Sequence, residues 1–137
     1  MPNLQDKLLE LANGFIGRFL LTQGMWDLNC GTVGPRKKVR DALMDQHVLC
    51  SGVGNYLLCE VLYETKIHPD ALFSKLSAAE RAELFFALQR IVRGHYDGSR
   101  SKLIYKQKVA PCGSKIKTEK FGQRTCHWVP EVQTKGI

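Results

Sequence analysis

The sequence predicts a mainly α-helical chain that ends in a small β-hairpin appendage. Three observations carry this. Apolar residues recur at helical spacing from about residue 35 to residue 94. A capping box, Ser77-Ala78-Ala79-Glu80, opens the longest of these runs. After Asp97-Gly98 the pattern changes to short β-branched, aromatic and basic stretches broken by glycine. The expected division is a helix and linker over 1–34, a helical domain over 35–98 and a basic hairpin appendage over 99–137.

Each element has its own signal. Leu4, Leu8 and Leu11 lie on one face of a short amphipathic helix, which Asn13-Gly14 stops. Residues 13–34, with five glycines, read as a loop. Pro35 suits the first turn of a helix whose apolar positions are Val39, Ala42, Leu43 and Met44. Asn55 to about Lys66 forms the next helix, with Leu58, Val61 and Leu62 inward, and His68-Pro69-Asp70 breaks it. The helix opened by Ser77 carries Leu84, Leu88, Ile91 and Val92 and is expected to end near Gly94. Lys102–Val109 and Lys115–Val129 read as hairpins. Tyr56, Tyr63 and Phe85, at helical spacing, read as core, Trp26 and Trp128 as core or hairpin packing, and Asp45 and His68 as helix-end groups.

Composition narrows the function classes. A chain of 137 residues, 44% hydrophobic, can bury one modest core or one core with an appendage. It has no apolar run of about 18 residues, so no membrane span is expected. Asn3, Gln5, Asp6 and Glu10 interrupt any secretory h-region. Five irregularly spaced cysteines fit free thiols in a reducing, intracellular compartment. The charge is uneven: residues 90–137 hold eleven Lys/Arg against Asp97, Glu119 and Glu131, a net +8, whereas residues 1–89 come to −1. Such a basic third on a near-neutral body is a footprint for nucleic acid or another polyanion; a solvated basic face is the plainer alternative.

The densest motif is Leu43-Met44-Asp45-Gln46 followed by Gly52-Val53-Gly54-Asn55-Tyr56. It has the form of a helix, a two-glycine loop and a second helix opened by Asn55. Glycines let a backbone turn tightly and approach a ligand without Cβ in the way. The helix that follows offers unpaired N–H groups and a positive dipole end, which favour a phosphate. Asn55 suits both the N-cap and a phosphate contact.

With Glu60-Val61-Leu62-Tyr63 and Ile67-His68-Pro69, this stretch resembles the helix-two-turn-helix domain of the Fpg/Nei DNA glycosylases. Gly122-Gln123-Arg124-Thr125 and Val129-Pro130-Glu131-Val132-Gln133 are similar to that family's terminal hairpin finger. Coverage runs from about Pro35 to Gln133, with two motifs in order. Ribosomal and topoisomerase relatives share only the first. The resemblance makes 35–98 a DNA-binding domain, 99–137 its finger and 1–34 a remnant of the interdomain region. The family's finger often binds zinc through four cysteines. Aligned on Arg124 and Gln133, those positions are Val109, Cys112, Val129 and Val132, so the likeness is to the zincless finger. Cys126 and His127 would point to opposite faces of a strand and would not readily share a metal. Neither a metal nor another cofactor is expected. Ile116, Trp128 and Val129 are expected to hold the hairpin by packing.

The resemblance implies that Asn55 and Arg124 are two phosphate clamps, with Gly52 and Gly54 acting through backbone geometry. Gln46 orders the loop or reaches the DNA, and Lys106 and Lys108 add diffuse attraction. The expected partner is duplex DNA, damaged or abasic, bound by a monomer. The family's chemistry resembles that of an N-terminal proline amine assisted by a glutamate on a preceding β-sandwich. Here Met1-Pro2 is followed by Asn3, and no β-sandwich fits into the first 34 residues. Catalysis by Pro2 is therefore not expected. The chain is read as the damaged-DNA-binding portion of a base-excision DNA glycosylase/AP lyase. Two alternatives stand: an active enzyme working with a separate catalytic domain or through Pro2, and a ribosomal-type RNA-binding module.

Overall fold

Ser77 and Glu80 satisfy each other's backbone amides, at 3.1 Å and 2.8 Å, and so start the longest of the described helices. The computed structural model of the chain describes residues 23–45, 49, 53–122 and 124–137, and for Tyr96 the backbone alone. The expected Leu4–Leu11 helix lies outside the described residues. Four α-helices precede one hairpin among the described residues: α1 (Gln23–Cys30), α2 (Val39–Met44), α3 (Asn55–Thr65), α4 (Ala78–Asp97), β1 (Lys117–Phe121) and β2 (Arg124–Trp128). A 3-10 turn at Phe73–Lys75 leads into α4. The architecture is mainly helical with a small two-stranded antiparallel hairpin, as the sequence predicts. None of the described helices is long and apolar enough to cross a membrane.

Several boundaries differ from the sequence reading. Part of the loop expected at 13–34 is α1. One side chain, Trp26, anchors it: buried against Phe73 and Phe85, its indole N–H donates to the Arg81 carbonyl at 3.1 Å. A helix with one buried residue leaves no periodic signal. α2 begins at Val39, because the backbone before it pairs with the segment ahead of the 3-10 turn. Lys38 bridges Leu72, and Val39 N–H donates to the Ala71 carbonyl at 2.7 Å. Pro35 thus precedes the helix. At α4 the chain runs on past Gly94 and stops at Gly98, where φ is +77°. A Cβ at Gly94 would lie 2.9 Å from Arg100 Cβ, so this glycine gives room for the returning chain.

Helix α3 organises the rest because it is buried on two sides. Leu58, Val61 and Leu62 join Val39, Leu43, Leu84, Leu88 and Ile91 in the main core. Cys59 belongs to a second cluster with Ile104, Ala110, Cys126 and Val129, where Tyr63, Ile116, Phe121 and Val132 also pack. The hairpin is seated on α3 through this second cluster. Ile116 and Val129 pack as expected, but Trp128 turns to the His68 ring, 4.6 Å between centroids. Tyr56 and Tyr63 are half-buried, at the junction between the two parts and not in the main core. Tyr56 meets Tyr105 edge-on.

Residues 102–109 do not form the expected hairpin. Their N–H groups are taken by a carboxylate: Glu60, fully buried on α3, accepts from Leu103, Ile104 and Tyr105 at 2.7–3.1 Å and from the Arg100 guanidinium at 3.1 Å. With those amides occupied, no partner strand is needed, and only a single Val109–Lys115 bridge remains. The C-terminal tail is tied down similarly. Buried Gln133 accepts from Val129 N–H at 2.7 Å and donates to the Ile67 carbonyl at 3.1 Å.

Removing the carboxylate leaves three amides without an acceptor and takes one of two carboxylate partners from the Arg100 guanidinium. Glu60→Ala is therefore expected to lose about 3–5 kcal/mol of stability in denaturant unfolding, from buried amides left unpaired at about 1–3 kcal/mol each and a weakened ion pair. A loss below about 1 kcal/mol would mean that the 100–105 segment is held by its apolar contacts.

Candidate nucleic-acid interface

The N-terminus of α3 and the start of β2 meet at one place, and two of the sequence-predicted residues make the junction. Asn55 is the first residue of α3, and Gly54, not Asn55, is the N-cap. This frees the Asn55 amide for a longer-range role. Its Nδ2 donates to the Thr125 carbonyl at 2.5 Å, joining the helix start to the hairpin. Arg124, exposed beside Thr125, pairs with Phe121 across the hairpin end. Gly122 there has φ +64°, a conformation that favours glycine.

Gly54 has φ −89° and ψ 179°, so no left-handed turn requires glycine at this position. Its contribution is open space: a Cβ there would meet nothing within 4 Å. Gln46 and Gly52 lie outside the described residues.

Asn55 and Arg124 line a cleft of about 230 Å³ with Arg40, Asp41, Met44, Leu58, Phe121 and Cys126. Arg40 was not singled out in the sequence. Its guanidinium lies 3.6 Å from the centre of the Phe121 ring, and its Nε is 3.5 Å from Asp70 Oδ1. It thereby braces the hairpin tip against α2 while adding positive charge to the cleft. The basic stretch Arg36-Lys37-Lys38-Val39-Arg40 was the available signal, but nothing local tells which cation faces the hairpin. Lys37 is instead paired to Asp45 at the end of α2.

Two guanidiniums, the Asp41 carboxylate, one amide and a helix N-terminus line this open space, so positive groups outnumber the negative one. The first turn of any α-helix leaves N–H groups without intrahelical partners. Lys106 and Lys108 are exposed on the connector and do not line the cleft. Lys106 has φ +57°, and its ammonium lies 5.5 Å from the Tyr105 ring centre. Nearby, burial holds the His127 imidazole below its usual range, and the Lys106 charge adds to this.

The four finger positions do not fit a zinc ion. Val129 is fully buried among apolar side chains and Val109 is exposed. Cys112 takes a hydrogen bond from the Tyr63 hydroxyl at 3.7 Å. Among the described residues, no three His, Cys, Asp or Glu side chains gather closely enough to hold a metal. His68 keeps the helix-end role expected of it, its Nδ1 accepting from Asp70 N–H at 3.0 Å.

A family model described as the formamidopyrimidine-DNA glycosylase H2TH domain matches residues 28–103. The chain is 30% identical over 122 residues to formamidopyrimidine-DNA glycosylase of Rhodococcus jostii, covering 73% of this chain and 41% of that protein. It is 32% identical over 111 residues to endonuclease 8-like 2 of Homo sapiens, covering 74% and 33% respectively. Among solved structures, a viral DNA glycosylase superposes with a TM-score of 0.74 at 25% identity, covering 85% of this chain and 46% of that one. A Lactococcus lactis Fpg in complex with DNA containing an oxidized pyrimidine superposes at 0.70 with 25% identity, covering 80% and 47%. The chain thus spans between a third and a half of the length of these relatives.

Replacing Arg40 by Met keeps an unbranched apolar stem and removes the cation over Phe121. We expect Arg40→Met to weaken hairpin docking by about 1–2 kcal/mol, the range for a partly desolvated cation–π pair. Faster amide hydrogen exchange in Lys117–Trp128, with α4 unchanged, would show it. Unchanged exchange rates in the hairpin would assign the docking to the second cluster alone.

Proposed function

This chain belongs to the Fpg/Nei family of DNA glycosylases through its H2TH domain, and from that premise we propose that it is the damaged-DNA-gripping portion of such an enzyme in base-excision repair. The observation that carries the reading is the shared cleft: Asn55 and Arg124, far apart in sequence, stand on its walls, and Asn55 is bonded to the residue after Arg124. Residues 35–98 supply the helix side of the grip and residues 99–137 the finger side. A phosphate seated between them receives the fork of Arg124, the side chain of Asn55 and the positive end of α3.

Backbone contacts fix position on a duplex but read no sequence. The preferred target is therefore DNA that is cheap to bend or open, such as an abasic or damaged site. Lys102, Lys106, Lys108, Lys115, Lys117 and Lys120 extend the positive field beyond the cleft and draw the polyanion in. The groups in the cleft are suited to binding. Base removal and strand cleavage belong, in this reading, to the remainder of the complete enzyme.

The test is binding to a duplex carrying an abasic-site analogue, followed by fluorescence anisotropy over a salt series. We expect affinity to fall steeply with salt, with a log–log slope near −0.9 for each phosphate neutralised. Asn55→Ala and Arg124→Ala are each expected to cost about 1–3 kcal/mol. Salt-insensitive binding, or two substitutions without effect, would remove the grip. Borohydride trapping on the same duplex separates binding from catalysis. No covalent adduct is expected, and an adduct lost in Pro2→Gly would identify an active enzyme. Tighter binding to structured RNA than to duplex DNA would favour the ribosomal-type module.

A further inference from the structure

Cys59 and Cys126 face each other across the seam between α3 and β2. Their sulfurs lie 3.9 Å apart and share a hydrogen bond, although the residues are 67 positions apart in sequence. Both are buried. Cys59 Sγ also accepts from the His127 backbone N–H at 3.3 Å. The hydrogen bond with Cys126 lowers the Cys59 thiol below its usual range, and the His127 amide adds to this against the effect of burial. The same hydrogen bond, with burial, pushes Cys126 up. The pair is therefore asymmetric, with thiolate character gathered on Cys59. Cys126 lines the cleft, so a small oxidant has a path to the seam.

We propose that Cys59 and Cys126 are an oxidative modification site, a dithiol that a hydroperoxide converts to a disulfide pinning the hairpin to α3. Cys59 sulfur attacks the peroxide O–O bond and takes one oxygen as a sulfenic acid, while the other oxygen leaves as water. Cys126 sulfur then displaces the hydroxyl of that sulfenic acid as a second water and forms the S–S bond. Two thiols and one hydrogen peroxide thus give one disulfide and two waters. The sulfurs need to approach by about 1.9 Å to reach a bond length near 2.0 Å. The cross-link closes a long loop and joins the two elements that carry Asn55 and Arg124, so it acts on the seam itself.

The experiment is peptide mapping of the full chain under non-reducing conditions after hydrogen peroxide treatment, with free thiols alkylated. The expected product is a peptide joining Cys59 to Cys126, two hydrogens lighter than its parts, lost on dithiothreitol and retained in Cys112→Ser. The oxidised chain is expected to melt at a higher temperature than the reduced one. Three results would overturn the proposal: both residues left alkylatable, both carried to sulfinic or sulfonic acid without a link, or either joined to a different cysteine. A cross-linked form that melts no higher than the reduced form would overturn the pinning. The wild-type chain supplies every decisive readout, so no variant needs to fold for the answer to be clear.

Discussion

The position of the finger depends on one buried carboxylate. Glu60 sits on α3, fully removed from solvent, and accepts four hydrogen bonds from the segment that connects α4 to the hairpin. A buried charge is costly unless fully paired. The pairing here is supplied by Arg100 and three consecutive amides, so the connector has one arrangement that satisfies it. Arg100 is held in turn by Glu64 one helical turn on, at 2.6 Å, and Glu64 also meets Arg90 of α4. A chain of charges thus links α3, α4 and the connector.

From this anchor the two-sided character of α3 follows. One face completes the helical core and the other receives the hairpin through Cys59, Ile104, Ala110, Cys126 and Val129. Small and β-branched apolar side chains do here what a metal does in fingers with four cysteines: they fix a two-stranded hairpin that would be marginal alone. The strands are short, and the hairpin has no other sheet among the described residues to extend. Its tip is held by Arg40 over Phe121 and by Asn55 at Thr125, and its end by Gln133 and the tail. Asn55 is therefore both a structural tie and a wall of the cleft. Its amide oxygen faces a weak thiol donor, the Cys59 S–H at 4.0 Å.

The helical half was legible because its signals are local. The Ser77–Glu80 box, the spacing of Leu84, Leu88 and Ile91, and the break at His68-Pro69 each act within a few residues and fall where the structure has them. What escaped was non-local. Helix α1 rests on one tryptophan. Residues 102–109 carry strand-like residues, yet a carboxylate more than forty positions away takes their amides. Glu60 itself looks like an ordinary helix residue until its burial is known. Of the candidate site, Asn55 and Arg124 could be named through family resemblance, but their meeting in one cleft could not be derived from spacing. Arg40 joined them only through the packing of the finger. Cys59 and Cys126 were counted as unrelated thiols, because nothing local records that two elements bring them together.

The most direct test of the central claim, that helix start and finger form one grip, is a double-mutant cycle. Binding to the abasic duplex would be measured for Asn55→Ala, Arg124→Ala and the pair together. If both side chains act on one phosphate within a shared seam, the double substitution costs less than the two singles combined, with a coupling of about 1 kcal/mol or more. Additivity to within about 0.5 kcal/mol would mean that the two residues touch the DNA independently, and the single cleft would not be the binding unit.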